Sequence, residues 1–144
     1  MKNMTPDAIV KAVGGRIAGH TDNKTMFTEI TSVTTDSRKV TCGCLFAALR
    51  GKNSDGHAYM AQAARSGALA VLAEEAPEEI GIPVILTADT GKALKDLAAY
   101  YLDQLQIPTV GIIGSAGKTS TKEMTAQVLA QKYRVLKTEG NFNN

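Results

Sequence analysis

Apolar positions along this chain alternate between short runs and stripes at helical spacing. Thr5 and Pro6 read as the N-cap and first helical position of a helix, where the missing proline N–H costs nothing. Ala8, Ile9, Ala12 and Val13 form its apolar stripe, and Gly14 and Gly15 end it. Residues 16–19 suit a short strand, the β-branched alternation of residues 28–35 predicts a second, and the compact apolar run 44–49 predicts a buried third. Asp55, Gly56 and His57 turn the chain into a helix to about Ser66, closed by Gly67. Strands follow at residues 68–73 and 83–86. Asp89 or Thr90 then caps a long helix in which Leu94, Leu97, Ala98, Tyr101, Leu102 and Leu105 recur at helical spacing.

Strands alternating with helices predict an α/β fold with a mostly parallel, helix-covered sheet. Residues 104–108 close that unit, so a domain boundary is expected at about residue 107. From 108 to 144 the pattern is strand, glycine-punctuated loop, helix, strand, with the strands at 109–113 and 134–137. In that helix Ala126, Leu129, Ala130 and Tyr133 line one side, and Met124 and Val128 the other. Apolar groups on both sides imply broad cover, and so small a β-α-β piece cannot bury its own surfaces. The second domain is therefore expected to be incomplete. No internal repeat or low-complexity tract interrupts the chain.

Composition narrows the classes. Sixteen Lys and Arg face fourteen Asp and Glu with no long run of either sign, so neither a nucleic-acid partner nor an acidic membrane surface is expected. No leader pattern and no span long enough for a bilayer are found, which leads to the expectation of a cytoplasmic chain. Cys42 and Cys44, the only cysteines, have too few potential ligands nearby for a structural zinc and read as small half-buried side chains at a strand entrance.

Chemistry is concentrated in residues 109–121. Val110, Ile112 and Ile113 suit a buried strand, and Gly114 and Gly117 allow successive backbone N–H groups to face an anion ahead of a helix start. Lys118 would reach the β- and γ-phosphates of a nucleotide, and the Thr119 hydroxyl would ligate magnesium. The common four-residue spacing before Gly-Lys is not met, because Ile112 stands where the first glycine belongs. The working core is Gly114, Ser115, Ala116, Gly117, Lys118 and Thr119, with Ser120 following. An ordinary glycine-rich turn with a chance lysine is the bland alternative. A nucleotide switch is another, but it would call for a guanine-reading Asn-Lys-x-Asp motif, which does not occur here. Read from the residues alone, Asp36, Ser37 and Arg38 form a capped turn with a solvated arginine, His57 is a first-turn helix residue, and Asn141, Asn143 and Asn144 are a polar exit from a strand.

The loop from Gly114 to Ser120, with the ending Gly140-Asn141-Phe142-Asn143-Asn144, resembles the start of the central ATPase domain of the Mur ligases. Upstream, Thr35-Asp36-Ser37-Arg38-Lys39-Val40, Gly43-Cys44-Leu45-Phe46 through Arg50-Gly51, and Asp55-Gly56-His57 are similar to the amino-terminal domain of that family, which holds the uridine nucleotide end of the substrate. Cys44 departs from the acidic residue usual between that glycine and Leu-Phe. The asparagine-rich ending looks like the branch that adds D-alanyl-D-alanine; the sister branch adding the third peptide residue is the alternative, as is a nucleotide-binding module without ligase activity.

The resemblance implies a uridine-nucleotide-binding domain over residues 1–107 and the start of an ATP-binding domain from 108. It implies an ATP- and magnesium-dependent ligase that joins UDP-MurNAc-tripeptide to D-alanyl-D-alanine through an acyl phosphate. Lys118 would be catalytic, residues Gly114 to Ser120 would hold ATP, and Thr119 the metal. Asp36, Ser37 and Arg38 would hold the diphosphate end, with Phe46 against the uracil and Arg50, Asp55, Gly56 and His57 beside it. Asn141, Asn143 and Asn144 would lie near the reacting groups. A monomer with small-molecule partners is expected.

Overall fold

The computed structural model describes residues 1–19, 21–51, 54–77 and 80–138. The chain divides into two compact units, Met1–Ile107 and the residues from Pro108 on.

The first unit is a five-stranded sheet flanked by helices. Its elements run α1 (Pro6–Val13), β1 (Arg16–Ala18), α2 (Asn23–Met26), β2 (Val33–Thr34), β3 (Leu45–Ala47), α3 (Met60–Arg65), β4 (Ala70–Ala73), β5 (Val84–Leu86) and α4 (Thr90–Leu105). Single 3-10 turns stand at Ser37–Lys39 and Gly56–Tyr59. The strand order is β1-β5-β4-β3-β2, with β1 antiparallel to β5 and the other pairs parallel.

Strand side chains alternate between two cores, because successive residues point to opposite faces. Leu45, Ala47, Ala70, Leu72 and Ile85 pack with Ile9 of α1 and Ala93 and Leu97 of α4. Phe46, Val71, Ala73 and Val84 pack on the other face with Met60 and Ala63 of α3. Both faces are covered, which explains why β3 and β4 read as continuous apolar runs. The helix ends follow local chemistry. Thr5 Oγ1 accepts from the Ala8 N–H at 3.2 Å, and Gly14 closes α1 at φ +61°.

Several expectations change. The strand predicted over residues 28–35 shrinks to Val33–Thr34, since the N–H groups before it bond elsewhere: Thr28 to Thr25 O, Ile30 to Met4 O and Thr31 to Gly43 O. The short α2, capped by Asp22, stands where no helix was expected. The helix expected after Asp55 is a 3-10 turn running into α3. Cys44 is fully buried and Cys42 exposed.

The second unit holds α5 (Lys118–Ala130). Residues 109–113 and 134–137 are in no sheet ladder among the described residues. A strand exists only with a hydrogen-bonded neighbour, and an apolar pattern does not report whether one is present. Ile113 and Leu136 are almost fully exposed, and Met124 and Val128 largely so. Residues near 137 are tied to α5 by Lys122 Nζ, which donates to Thr138 O at 2.7 Å, and by an ion pair between Lys137 and Glu123.

Candidate functional sites

Four parallel neighbours, β2 to β5, end on one rim of the sheet, the edge where open α/β sheets bind ligands. Asp36 and Arg38 follow β2, Arg50 follows β3, Glu74 follows β4 and Asp89 follows β5. Topology therefore gathers most of the candidate residues of the first unit.

After β2, Asp36 caps the 3-10 turn by accepting from the Arg38 N–H at 3.1 Å. The guanidinium of Arg38 returns to the same carboxylate, with Nε to Oδ1 and Nη2 to Oδ2 both at 2.9 Å. Hydrogen bonding from the Arg38 side chain, then from its backbone N–H, lowers the Asp36 carboxyl from 3.8 to about 2. Ser37 is half-buried between them.

After β3, Gly56 passes so close to the strand exit that a Cβ there would meet Leu49 N at 2.7 Å and Leu49 O at 2.9 Å. Its N–H donates to Leu49 O at 2.8 Å, which sets Asp55 against Arg50 in a single antiparallel bridge. Asp55 Oδ1 accepts from the His57 N–H at 2.9 Å and from the ring Nδ1–H at 2.6 Å. The other ring nitrogen, Nε2, accepts from the backbone N–H of Glu74 at 3.0 Å, so both ring nitrogens have partners within the protein. The backbone bond from His57, then the ring bond, keeps the Asp55 carboxyl below its ordinary value.

Two expectations are corrected by burial. Phe46 is 1% exposed inside the α3-side core, so its ring is a packing group and no platform for a base. His57 has a side chain only 4% exposed with both nitrogens bonded within the protein. Sequence reading missed Glu74, whose Oε1 accepts from the Thr90 N–H at the start of α4 at 3.2 Å and whose Oε2 pairs with Arg50 Nε at 3.2 Å.

In the second unit Gly117 is the N-cap of α5 at φ +76°, with no side-chain cap. A left-handed residue at that point is the turn for which glycine is suited. Lys118 Nζ folds back onto Gly114 O at 2.8 Å, and Thr119 is exposed. An open helix start, a lysine and an exposed threonine are thus adjacent at one glycine loop, and N–H, ammonium and hydroxyl groups are the donors that phosphates require. Asn141, Asn143 and Asn144 lie outside the described residues.

The profile of the Mur ligase family, catalytic domain, matches residues 29–136. The chain belongs to the Mur ligase family. It is 46% identical over 113 residues to the UDP-N-acetylmuramoyl-tripeptide--D-alanyl-D-alanine ligase of Escherichia coli, covering 78% of this chain and 25% of that protein. A crystal structure of MurF from Acinetobacter baumannii superposes with a TM-score of 0.85 at 34% identity, covering 98% of this chain and 30% of that one. The MurF ligase of Thermotoga maritima, solved in complex with ADP, gives 0.70 at 35% identity over 78% of this chain and 26% of that one. The chain thus spans about a quarter to a third of the length of these relatives. Among the described residues no helix is long and apolar enough to cross a membrane.

Proposed function

We propose that this chain belongs to an ATP-dependent amide ligase that adds D-alanyl-D-alanine to UDP-MurNAc-tripeptide in peptidoglycan precursor synthesis, acting as a cytoplasmic monomer. The names of the relatives supply the reaction. The observation in the molecule that carries it is the uncapped start of α5, with Lys118 and Thr119 at an open glycine loop.

ATP is the co-substrate held there. Its γ-phosphoryl passes to the terminal carboxylate of the tripeptide, giving an acyl phosphate and ADP. The dipeptide amine then attacks the acyl carbon, loses a proton, and expels phosphate as the amide forms. Lys118 leaves Gly114 O for the phosphate oxygens, and the N–H groups of residues 115–118 add neutral donors where negative charge gathers. The Thr119 hydroxyl would hold magnesium, which would supply further positive charge to the phosphates. In the first unit the rim after β2 takes the uridine diphosphate end, with Ser37 and the unengaged N–H groups of Arg38 as donors to the phosphates.

Calorimetric titration of the 144-residue chain with UDP, and separately with ATP and magnesium, tests the division of labour. UDP is expected to bind through the first unit, and Arg38→Ala to weaken it by roughly tenfold or more, the worth of one charge-assisted contact. ATP is expected to bind weakly, through its phosphates. Tight ATP binding with no response to UDP would reverse the roles given to the two units.

A further inference from the structure

We propose that Glu74 is the positioning residue of the uridine-nucleotide rim, and that Arg50 and His57 act through it and do not touch the nucleotide. The inference rests on the uridine reading above.

Glu74 joins three separate segments. Its N–H holds His57 Nε2, its Oε1 takes the Thr90 N–H of α4, and its Oε2 pairs with Arg50 after β3. Arg50 is further flanked by Glu75, at 3.4 Å from Nη2, and by Asp55, at 3.9 Å from Nε. Among the described residues three carboxylates therefore surround one guanidinium, and their sum is two negative charges. A diphosphate brought to that point would meet net repulsion from these carboxylates. The other end of the rim has the opposite balance, because Asp36 faces both Arg38 and Lys39. Charge thus assigns the phosphates to the Arg38 end. At Arg50 the same groups form a buckle that fixes the Asp55–His57 turn against the end of β4 and the start of α4.

The test is UDP affinity by calorimetry at several salt concentrations, for the unsubstituted chain and for Arg38→Ala, Arg50→Ala, Glu74→Ala, Glu74→Gln and the Arg50→Ala, Glu74→Ala pair. Each of Arg50→Ala and Glu74→Ala is expected to weaken UDP about three- to tenfold, and the pair no more than the worse single, as residues acting as one unit do. Both are expected to leave the salt dependence unchanged, since no phosphate contact is lost, whereas Arg38→Ala flattens it. Glu74→Gln keeps an acceptor for the Thr90 N–H but not the ion pair. It is expected to weaken UDP less than Glu74→Ala, and it carries the comparison if the alanine variant fails to fold. A flattened salt dependence in Arg50→Ala would mean that Arg50 meets the phosphates itself. Additive penalties, or folded variants with undiminished affinity, would reduce Glu74 to a packing role. If the unsubstituted chain does not bind UDP, the uridine reading fails and this inference with it, an outcome distinct from the others.

Discussion

Two helices of this chain begin in opposite ways. At α4 the exposed N–H groups are closed by protein carboxylates: Asp89 Oδ1 accepts from Lys92 N–H at 2.8 Å, and Glu74 accepts from Thr90 N–H. At α5 the cap is Gly117, among the described residues no side chain closes the first turn, and Lys118 donates to a carbonyl of its own loop. Each helix start attracts negative charge for the same reason, its unpaired donors and dipole. In the first case that attraction is used within the fold, and in the second it is left open, as the ATP proposal requires. A helix start is therefore informative about function only once its own caps are known.

The largest expected effect breaks the open end. On the ligase proposal, Lys118→Ala in the full-length protein would remove a charge acting mainly on the transferring phosphoryl, so turnover is expected to fall by orders of magnitude while UDP affinity stays close to normal. Steady-state phosphate release together with UDP calorimetry checks both halves. At the closed end the expected losses are of stability. Glu74→Ala removes an anionic cap and an ion pair that is partly shielded from water, and is expected to lower unfolding free energy by about 1–2 kcal/mol in urea titration. Asp89→Ala removes one N-cap and is expected to cost about 1 kcal/mol. Neither change acts on the second unit's loop, so the response to ATP should be unaffected by both.

What the sequence discloses follows the range of the interactions. Thr5, Gly14 and Asp89 act within a turn of themselves, so their capping roles are legible from neighbours alone. The parallel sheet is legible too, because strands alternate with helices and β3 and β4 are apolar on both faces. Those continuous runs conceal orientation, however: when both faces are buried, nothing local distinguishes a ring bound for the core from one bound for a ligand, and Phe46 is such a ring. Glu74 is hidden for a different reason. Its partners lie 16 residues ahead at Thr90 and 17 behind at His57, and no pattern in a short window connects them. The motif Gly-Lys-Thr was legible at once, since glycine conformation, lysine and hydroxyl sit in one uninterrupted stretch. The strands expected on either side of it, at 109–113 and 134–137, are in no ladder among the described residues, because a ladder depends on a partner that an apolar pattern does not report.

The smallest effect sharpens the comparison at the third anion-directed group, the Asp36–Arg38 fork. Asp36 has a folded pKa of about 2 against 3.8 ordinarily, so its contribution is fully present above the ordinary value and is lost as pH falls through about 2. The pair is exposed and screened, so the thermal midpoint should hardly move between pH 7 and 5 on its account. The carboxyl carbon resonance of Asp36 is the sensitive readout: it should titrate near 2, and Arg38→Ala should return it toward 3.8. Saturating UDP then separates two ways of using the arginine. A guanidinium has five N–H donors in a fixed fork, and Asp36 engages only Nε and Nη2. If the remaining donors take the phosphate, the fork persists and Asp36 still titrates near 2 in the complex. If Arg38 must turn away from Asp36 to reach the phosphate, the carboxyl moves up on UDP binding. The first outcome is expected, because the bidentate pair preorganises the outward-facing donors and nothing has to break for a diphosphate to engage them.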